Sequence, residues 1–257
     1  ARVAPPRRPM KKPGKAPEAP RTLGEDDKAG IRAALDALRR SPGFKPRGAQ
    51  NAMIAIAARA LGASGGGAVV EAPTGVGKSL AYLTAAVPIA LAHKRPLVIA
   101  TATVSLQEQL VQRDIPRFLA DAGLSAVVAI AKGRQRYACL RNLAEAAGGD
   151  TGESLFDFDP AYTRAPSVDE AKVIGTLSND FQEGKWNGDL DIAPVPIPDG
   201  MRSRITTSAG ACTRARCAFV ESCPYLKARA GVKAADIVVA NHDLVLAALG
   251  LPDSEEG

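Results

Sequence analysis

Apolar positions in this chain gather into short runs, and each run ends at a turn or helix signal. "AVVEAPTGVGKSLAYLTAAV" (68–87) opens on β-forming residues, passes through two glycines and continues with a helical pattern. "PLVIATATVSLQEQL" (96–110) repeats that order: an apolar strand, hydroxyl residues, then a helix. "SAVVAIAKG" (125–133) supplies a further strand-like run, and "DIVVA" (236–240) another. Strand–helix alternation at this spacing predicts a parallel α/β sheet, with its chemistry at the carboxyl edge of the strands. The longest apolar run, "LAYLTAAVPIALA" (80–92), is too short to span a bilayer and contains Pro88, so it predicts a buried helix and no membrane partner.

Composition narrows this only slightly. The 257 residues, 46% hydrophobic and 23% charged, suit one large domain or two ordinary ones. The net charge of +6 has a single location. Residues 1–21 carry seven Lys/Arg, one Glu and six prolines, and the rest of the chain is neutral. Such a tail buries too little apolar surface to order itself, so residues 1–23 are expected to be a disordered basic arm that touches nucleic acid at most. Its prolines argue against an amphipathic transit peptide.

The first chemistry lies in "APTGVGKS" (72–79). Gly75 and Gly77 let the backbone turn its N–H groups toward phosphates, and a helix starting near Lys78 adds its positive end. Lys78 would neutralise the β- and γ-phosphates, and the Ser79 hydroxyl would ligate Mg²⁺. Thr74 and Val76 complete the loop around a bound ATP. The general pattern begins with Gly, and here Ala72 stands in that place. In this form the loop resembles that of superfamily-two helicases. Upstream, Arg47 and Gln50 in "FKPRGAQNAMI" have the spacing of the adenine-reading Q motif of those proteins, 28 residues before Lys78 in the case of Gln50. Downstream, Thr101, Thr103 and Gln107 resemble motif Ia, where hydroxyls, amides and backbone N–H groups hold a single-stranded backbone. On their own these residues would read as a helix cap built from hydroxyls; the order of elements favours the functional reading.

After Gly133 the character changes. Eight of the eleven aromatic residues and all four cysteines lie in 132–235. Charge is segregated there: 132–144 is basic, 145–199 strongly acidic and 200–235 basic again. The acidic stretch is expected to form a solvated bulge that repels DNA. Cys139 stands alone, and Cys212, Cys217 and Cys223 follow as C-x₄-C-x₅-C. Disulfides are disfavoured, because nothing marks secretion and a nucleotide-binding protein of this kind belongs in a reducing, cytoplasmic compartment. Structural zinc and an iron–sulfur cluster both remain open on spacing; paired knuckles are missing, which favours iron–sulfur. Arg214 and Arg216 lie between two of the cysteines, as cluster or DNA contacts.

The order of these features is similar to that of the DinG family of bacterial helicases, relatives of XPD. The phosphate loop, "KGRQRYAC" (132–139), the three-cysteine group and "ADIVVANHDLVL" (235–246) carry the resemblance, over roughly residues 24–249. It implies a RecA-like first motor lobe (24–131) interrupted by a mostly helical iron–sulfur insertion (132–235), with a return to the lobe at 236–257. It further implies a [4Fe–4S] cluster on Cys139, Cys212, Cys217 and Cys223, and ATP-dependent 5′→3′ unwinding of forked and looped DNA in repair or replication. Single-strand-binding or repair proteins are its expected partners, and a monomer its expected state.

One part of the pattern is not met. Asp169–Glu170–Ala171 is the only D-E-A, yet no apolar strand precedes it and it falls between the first and second cysteines. Ser167 and Glu170 read instead as a capping box. Asp243 follows a strand but lies in the N-H-x-L segment with His242; His93 is expected to be solvated near a helix end. The chain is therefore expected to be an N-terminal piece that holds nucleotide and cluster without hydrolysing ATP. Two other readings compete: a non-motor nucleic-acid-binding module with a Cys₄ zinc site, and an RNA helicase.

Overall fold

The computed structural model describes residues 22–63, 66–148, 166–198 and 200–250. Residues 1–21 of the basic arm and 149–165 of the acidic stretch, both singled out above, lie outside the described residues. In chain order the elements begin with α1 (Glu25–Arg40), α2 (Gly48–Gly62), α3 (Lys78–Ala92), β1 (Leu97–Thr101) and α4 (Val104–Gln109). A π turn (Leu110–Asp114) leads into α5 (Ile115–Ala122), followed by β2 (Val128–Ala131) and α6 (Leu140–Ala146). Then come α7 (Val168–Gln182), α8 (Met201–Ile205), α9 (Pro224–Lys233), β3 (Ile237–Asn241) and α10 (His242–Gly250).

The chain divides into two compact units, one of residues 1–97 and 112–126, the other of 98–111 and 127–257. The first is helical. Acidic Glu25, Asp26 and Asp27 open α1 and basic Arg39 and Arg40 close it, as the helix dipole favours. Its buried positions Ile31, Ala34 and Leu38 recur at helical spacing. Helix α3 is the predicted buried helix: Ala81 and Leu83 through Pro88 are all buried, so Pro88 is accommodated inside it. Ile31, Ile54, Ala58, Ala81 and Ala85 form the apolar cluster between α1, α2 and α3. His93, expected to be solvated, caps α3 and pairs through Nε2 with Asp27 Oδ1 at 2.8 Å. Asp27 is buried, and a buried carboxylate requires such a partner. Helix α5 ends at Gly123 in the left-handed region (φ 65°), where Leu124 N–H reaches back to Leu119 O at 2.9 Å.

In the second unit β3 lies between β1 and β2. It pairs in parallel with β2, from Val128↔Ile237 to Ala131↔Ala240. Ile237 to Ala240 are all buried, as a central parallel strand requires. The predicted strand at 68–72 is absent: those residues join no ladder, and Val69 is fully exposed. A short apolar run becomes a strand only beside a hydrogen-bonding partner.

The connection from β2 to β3 holds residues 132–236. Among its described residues there are helices and turns and no ladder strand. Ala138, Leu143, Ile174, Leu177, Trp186, Leu190, Met201 and Ile205 give it an apolar core of its own. Ser167 does begin α7 through a capping box: its hydroxyl accepts from Glu170 N–H at 3.2 Å, and its own N–H donates to Glu170 Oε2 at 2.7 Å. This accounts for Asp169–Glu170 as a helix start. The Trp186 indole donates to Asp189 O at 2.8 Å, so its polar edge is satisfied in the core. Leu177 is fully buried at the centre. Leu177→Ala should therefore cost about 3 kcal/mol, read by urea denaturation; a loss under about 1 kcal/mol would mean that the core closes over the cavity.

Candidate functional site

The loop 72–77 turns on two glycines and leads directly into α3. Gly75 and Gly77 have φ of 84° and 87°, and Gly77 is the N-cap of α3. Lys78 is the first helical residue, and Ala81 N–H bonds Gly77 O at 3.0 Å. Three side chains hold the loop from its carbonyl side. Lys78 Nζ donates to Ala72 O at 2.8 Å and Pro73 O at 3.3 Å. Gln50 Nε2 donates to Gly77 O at 3.2 Å, and Arg47 Nη1 donates to Gly75 O. Gln50 is buried, and a Cβ on Gly77 would collide with its amide. The R-x-x-Q pair and the phosphate loop, read separately in the sequence, thus form one constellation. Thr74 is exposed, Val76 and Ser79 half-buried. Tyr82, one turn into α3, is held above the usual phenol range by burial, partly offset by a hydrogen bond to Ser79.

Thr101, Thr103 and Gln107 belong to the other unit and build its strand-to-helix turn. Thr101 Oγ1 donates to Thr103 O at 3.1 Å, and Thr103 Oγ1 accepts Leu106 N–H at 3.3 Å as the N-cap of α4. Gln107 is buried. These side chains serve the turn, as a hydroxyl cap would.

All four cysteines are free and partly buried. Cys139 caps α6; its N–H bonds Ile205 O at 2.7 Å and its thiol donates to Asn142 Oδ1 at 3.5 Å. Burial pushes this thiol up, with Arg141 among the opposing influences. Cys212 Sγ accepts from Arg134 Nη1 at 3.1 Å and from Arg214 N–H at 3.4 Å. Cys217 closes the turn Arg214–Arg216, in which Arg214 has φ of 51°, and Cys223 caps α9. The donor set suits a thiolate-held metal group: four free thiols, with N–H donors aimed at one sulfur. Among the described residues, however, no three His, Cys, Asp or Glu side chains converge closely enough to hold a metal ion.

Sequence reasoning missed an ion cluster beside this region. Lys132 pairs with Asp189 and, at 2.8 Å, with Asp191; Arg136 Nη2 reaches Asp191 at 2.5 Å. The Lys132 and Asp191 side chains are each only 7% exposed. This corrects the expectation of a wholly solvated acidic stretch: two of its carboxylates are buried against the basic segment that precedes Cys139. Charge segregation was the visible signal, and it marks pairing here as well as repulsion. Tyr137, beside these carboxylates and buried, has its phenol pushed up to about 12, chiefly by burial. Burial would also raise Asp191, but hydrogen bonds and charge from Lys132 and Arg136 outweigh it and hold that carboxyl below its ordinary value. A depressed carboxyl contributes stability above its unfolded pKa of about 4, lost as pH falls through the lower folded value. Melting temperatures of Asp191→Asn and the unmodified chain should therefore differ most near neutral pH and converge below about pH 4. A gap of constant size across that range would deny the pairing its role.

Among the described residues no helix is long and apolar enough to cross a membrane. No protein-family profile matches the chain. Proteins named ATP-dependent DNA helicase DinG do match it. The one from Salmonella typhimurium strain LT2 is 38% identical over 228 residues, which is 86% of this chain and 31% of that protein. The one from Escherichia coli K12 is 37% identical over a span of the same length, with the same shares of each chain. That from Photobacterium profundum is 35% identical over 212 residues, 81% of this chain and 30% of that protein. The chain thus spans about a third of the length of these relatives.

Proposed function

The chain belongs to the DinG family over the residues it shares with these relatives, and on that premise we propose that it is the nucleotide-binding part of an ATP-dependent 5′→3′ DNA helicase acting in repair or replication. One observation carries the reading: Arg47, Gln50 and Lys78 all engage the carbonyl side of the loop 72–77. ATP would take the loop's N–H face from Thr74 to Gly77, with Lys78 released from its carbonyls to the phosphates. Ser79 would ligate Mg²⁺, and Arg47 and Gln50, already on the loop, would meet the base. Catalysis in such proteins rests on charge placed against the transferring phosphoryl group. Among the described residues the one Asp-Glu pair adjacent in sequence in that order, Asp169 and Glu170, begins α7. Nucleotide binding without hydrolysis is therefore the expected behaviour of these 257 residues.

Cys139, Cys212, Cys217 and Cys223 are the proposed ligands of a [4Fe–4S] cluster; when bound it would join the two basic flanks of the insertion. Single-stranded DNA is the proposed partner, with Thr101, Thr103 and Gln107 shaping the turn beside its path.

Titration with a fluorescent ATP analogue tests the nucleotide site. Lys78→Ala should weaken binding at least about tenfold, since one charge-assisted contact of about 1.5–3 kcal/mol is lost. Unchanged affinity would refute the site, and DNA-stimulated phosphate release by the unmodified chain would refute the absence of hydrolysis. Anaerobic purification should give about four irons with sulfide and broad visible absorption. One zinc and no colour would replace the cluster with a Cys₄ zinc site.

A further inference from the structure

Arg134 stands where three of the four cysteine segments meet. Its Nη1 donates to Cys212 Sγ at 3.1 Å, across 78 residues of sequence. Its guanidinium carbon lies 4.1 Å from the centroid of the Tyr225 ring, two residues beyond Cys223 on α9. Tyr225 in turn packs edge-on against Tyr137, two residues before Cys139, with ring centroids 6.0 Å apart. The neighbouring arginine does other work: Arg136 is bound to Asp191.

We propose that Arg134 is the positioning residue of the cysteine site: it fixes Cys212 against the segments that carry Cys139 and Cys223, and it directs an N–H at the Cys212 sulfur. The proposal rests on the reading of these cysteines as metal ligands. A guanidinium can do both at once, with its flat face on a ring and its edge toward an acceptor; a lysine ammonium has no such face to stack. An N–H aimed at a ligand sulfur withdraws charge from it. The bound group is thereby easier to reduce and slower to dissociate.

The 257-residue chain, purified anaerobically, is compared with Arg134→Gln, Arg134→Lys and Tyr225→Leu. The last removes the stacking surface and leaves the arginine in place. Iron, sulfide and zinc content, the rate of metal loss to a chelator and the midpoint reduction potential are measured, with thermal unfolding as the check on folding. Arg134→Gln should lose its metal about tenfold faster and show a more negative potential. Arg134→Lys should recover only part of both effects, and Tyr225→Leu should speed metal loss. Unchanged loss rate and potential in both Arg134→Gln and Tyr225→Leu would overturn the proposal. Should Arg134→Gln fail to fold, Tyr225→Leu alone decides, and an unchanged loss rate there overturns it. One zinc in the unmodified chain would sink the iron–sulfur reading while leaving Arg134 to be judged by the rate of zinc loss. Neither metal in the unmodified chain would sink both.

Discussion

Of the three cations in residues 132–136, which follow strand β2, Lys132 and Arg136 are buried or half-buried against Asp189 and Asp191. The rest of the insertion depends on that pairing. Placing Lys132 and Asp191 out of water costs several kcal/mol per ion, recovered only while every partner is present. Two carboxylates facing two cations leave no net charge to be solvated. The same contact sets the path of the chain into Tyr137, Ala138 and Cys139, because Asp189 also meets Tyr137 through an antiparallel bridge. The Trp186 indole bonds the Asp189 carbonyl, so the ion cluster and the apolar core of the insertion share one turn. The position of Cys139 thus depends on an electrostatic support laid down a few residues earlier.

The loop 72–77 rests on a different kind of constraint. Glycines at 75 and 77 supply backbone conformations that other residues rarely adopt, and glycine at 77 also leaves room for the Gln50 amide. The loop and the Gln50 amide are therefore fitted to one another in shape. Lys78 and Gln50 occupy carbonyls of the same loop, so a ligand that draws Lys78 away changes the surroundings of Gln50.

Much of this was legible in the sequence, for local reasons. Helix α3 announced itself by a continuous apolar run behind G-K-S, and Ser167 with Glu170 announced a helix start by spacing alone. Strands β1, β2 and β3 fell where apolar runs predicted them. The run at 68–72 misled because hydrophobicity reports a wish for burial, whereas a strand needs a hydrogen-bonding neighbour. Asp189 and Asp191 misled in the opposite sense: charge reads as solvent exposure until a partner of opposite sign is brought to it by folding. The Arg134 contacts with Cys212 and Tyr225 were illegible for the same reason, since the residues they join are far apart in the chain. The four cysteines were legible as a set, but not as a converged geometry.

The placement of β3 beside β2 also governs how the chain is assembled in time. Val127 and Asp236 bond one another across 109 residues, so the central ladder cannot zip from a local hairpin. Closing a loop of that length loses chain entropy before any strand contact forms, and non-local parallel pairing of this kind is intrinsically slow. A helical insertion with its own core would shorten the effective loop if it formed before the ladder. During synthesis β2 emerges long before its partner and waits as an unpaired apolar edge. The apolar core of the insertion would then serve assembly as well as stability, by bringing β3 toward β2.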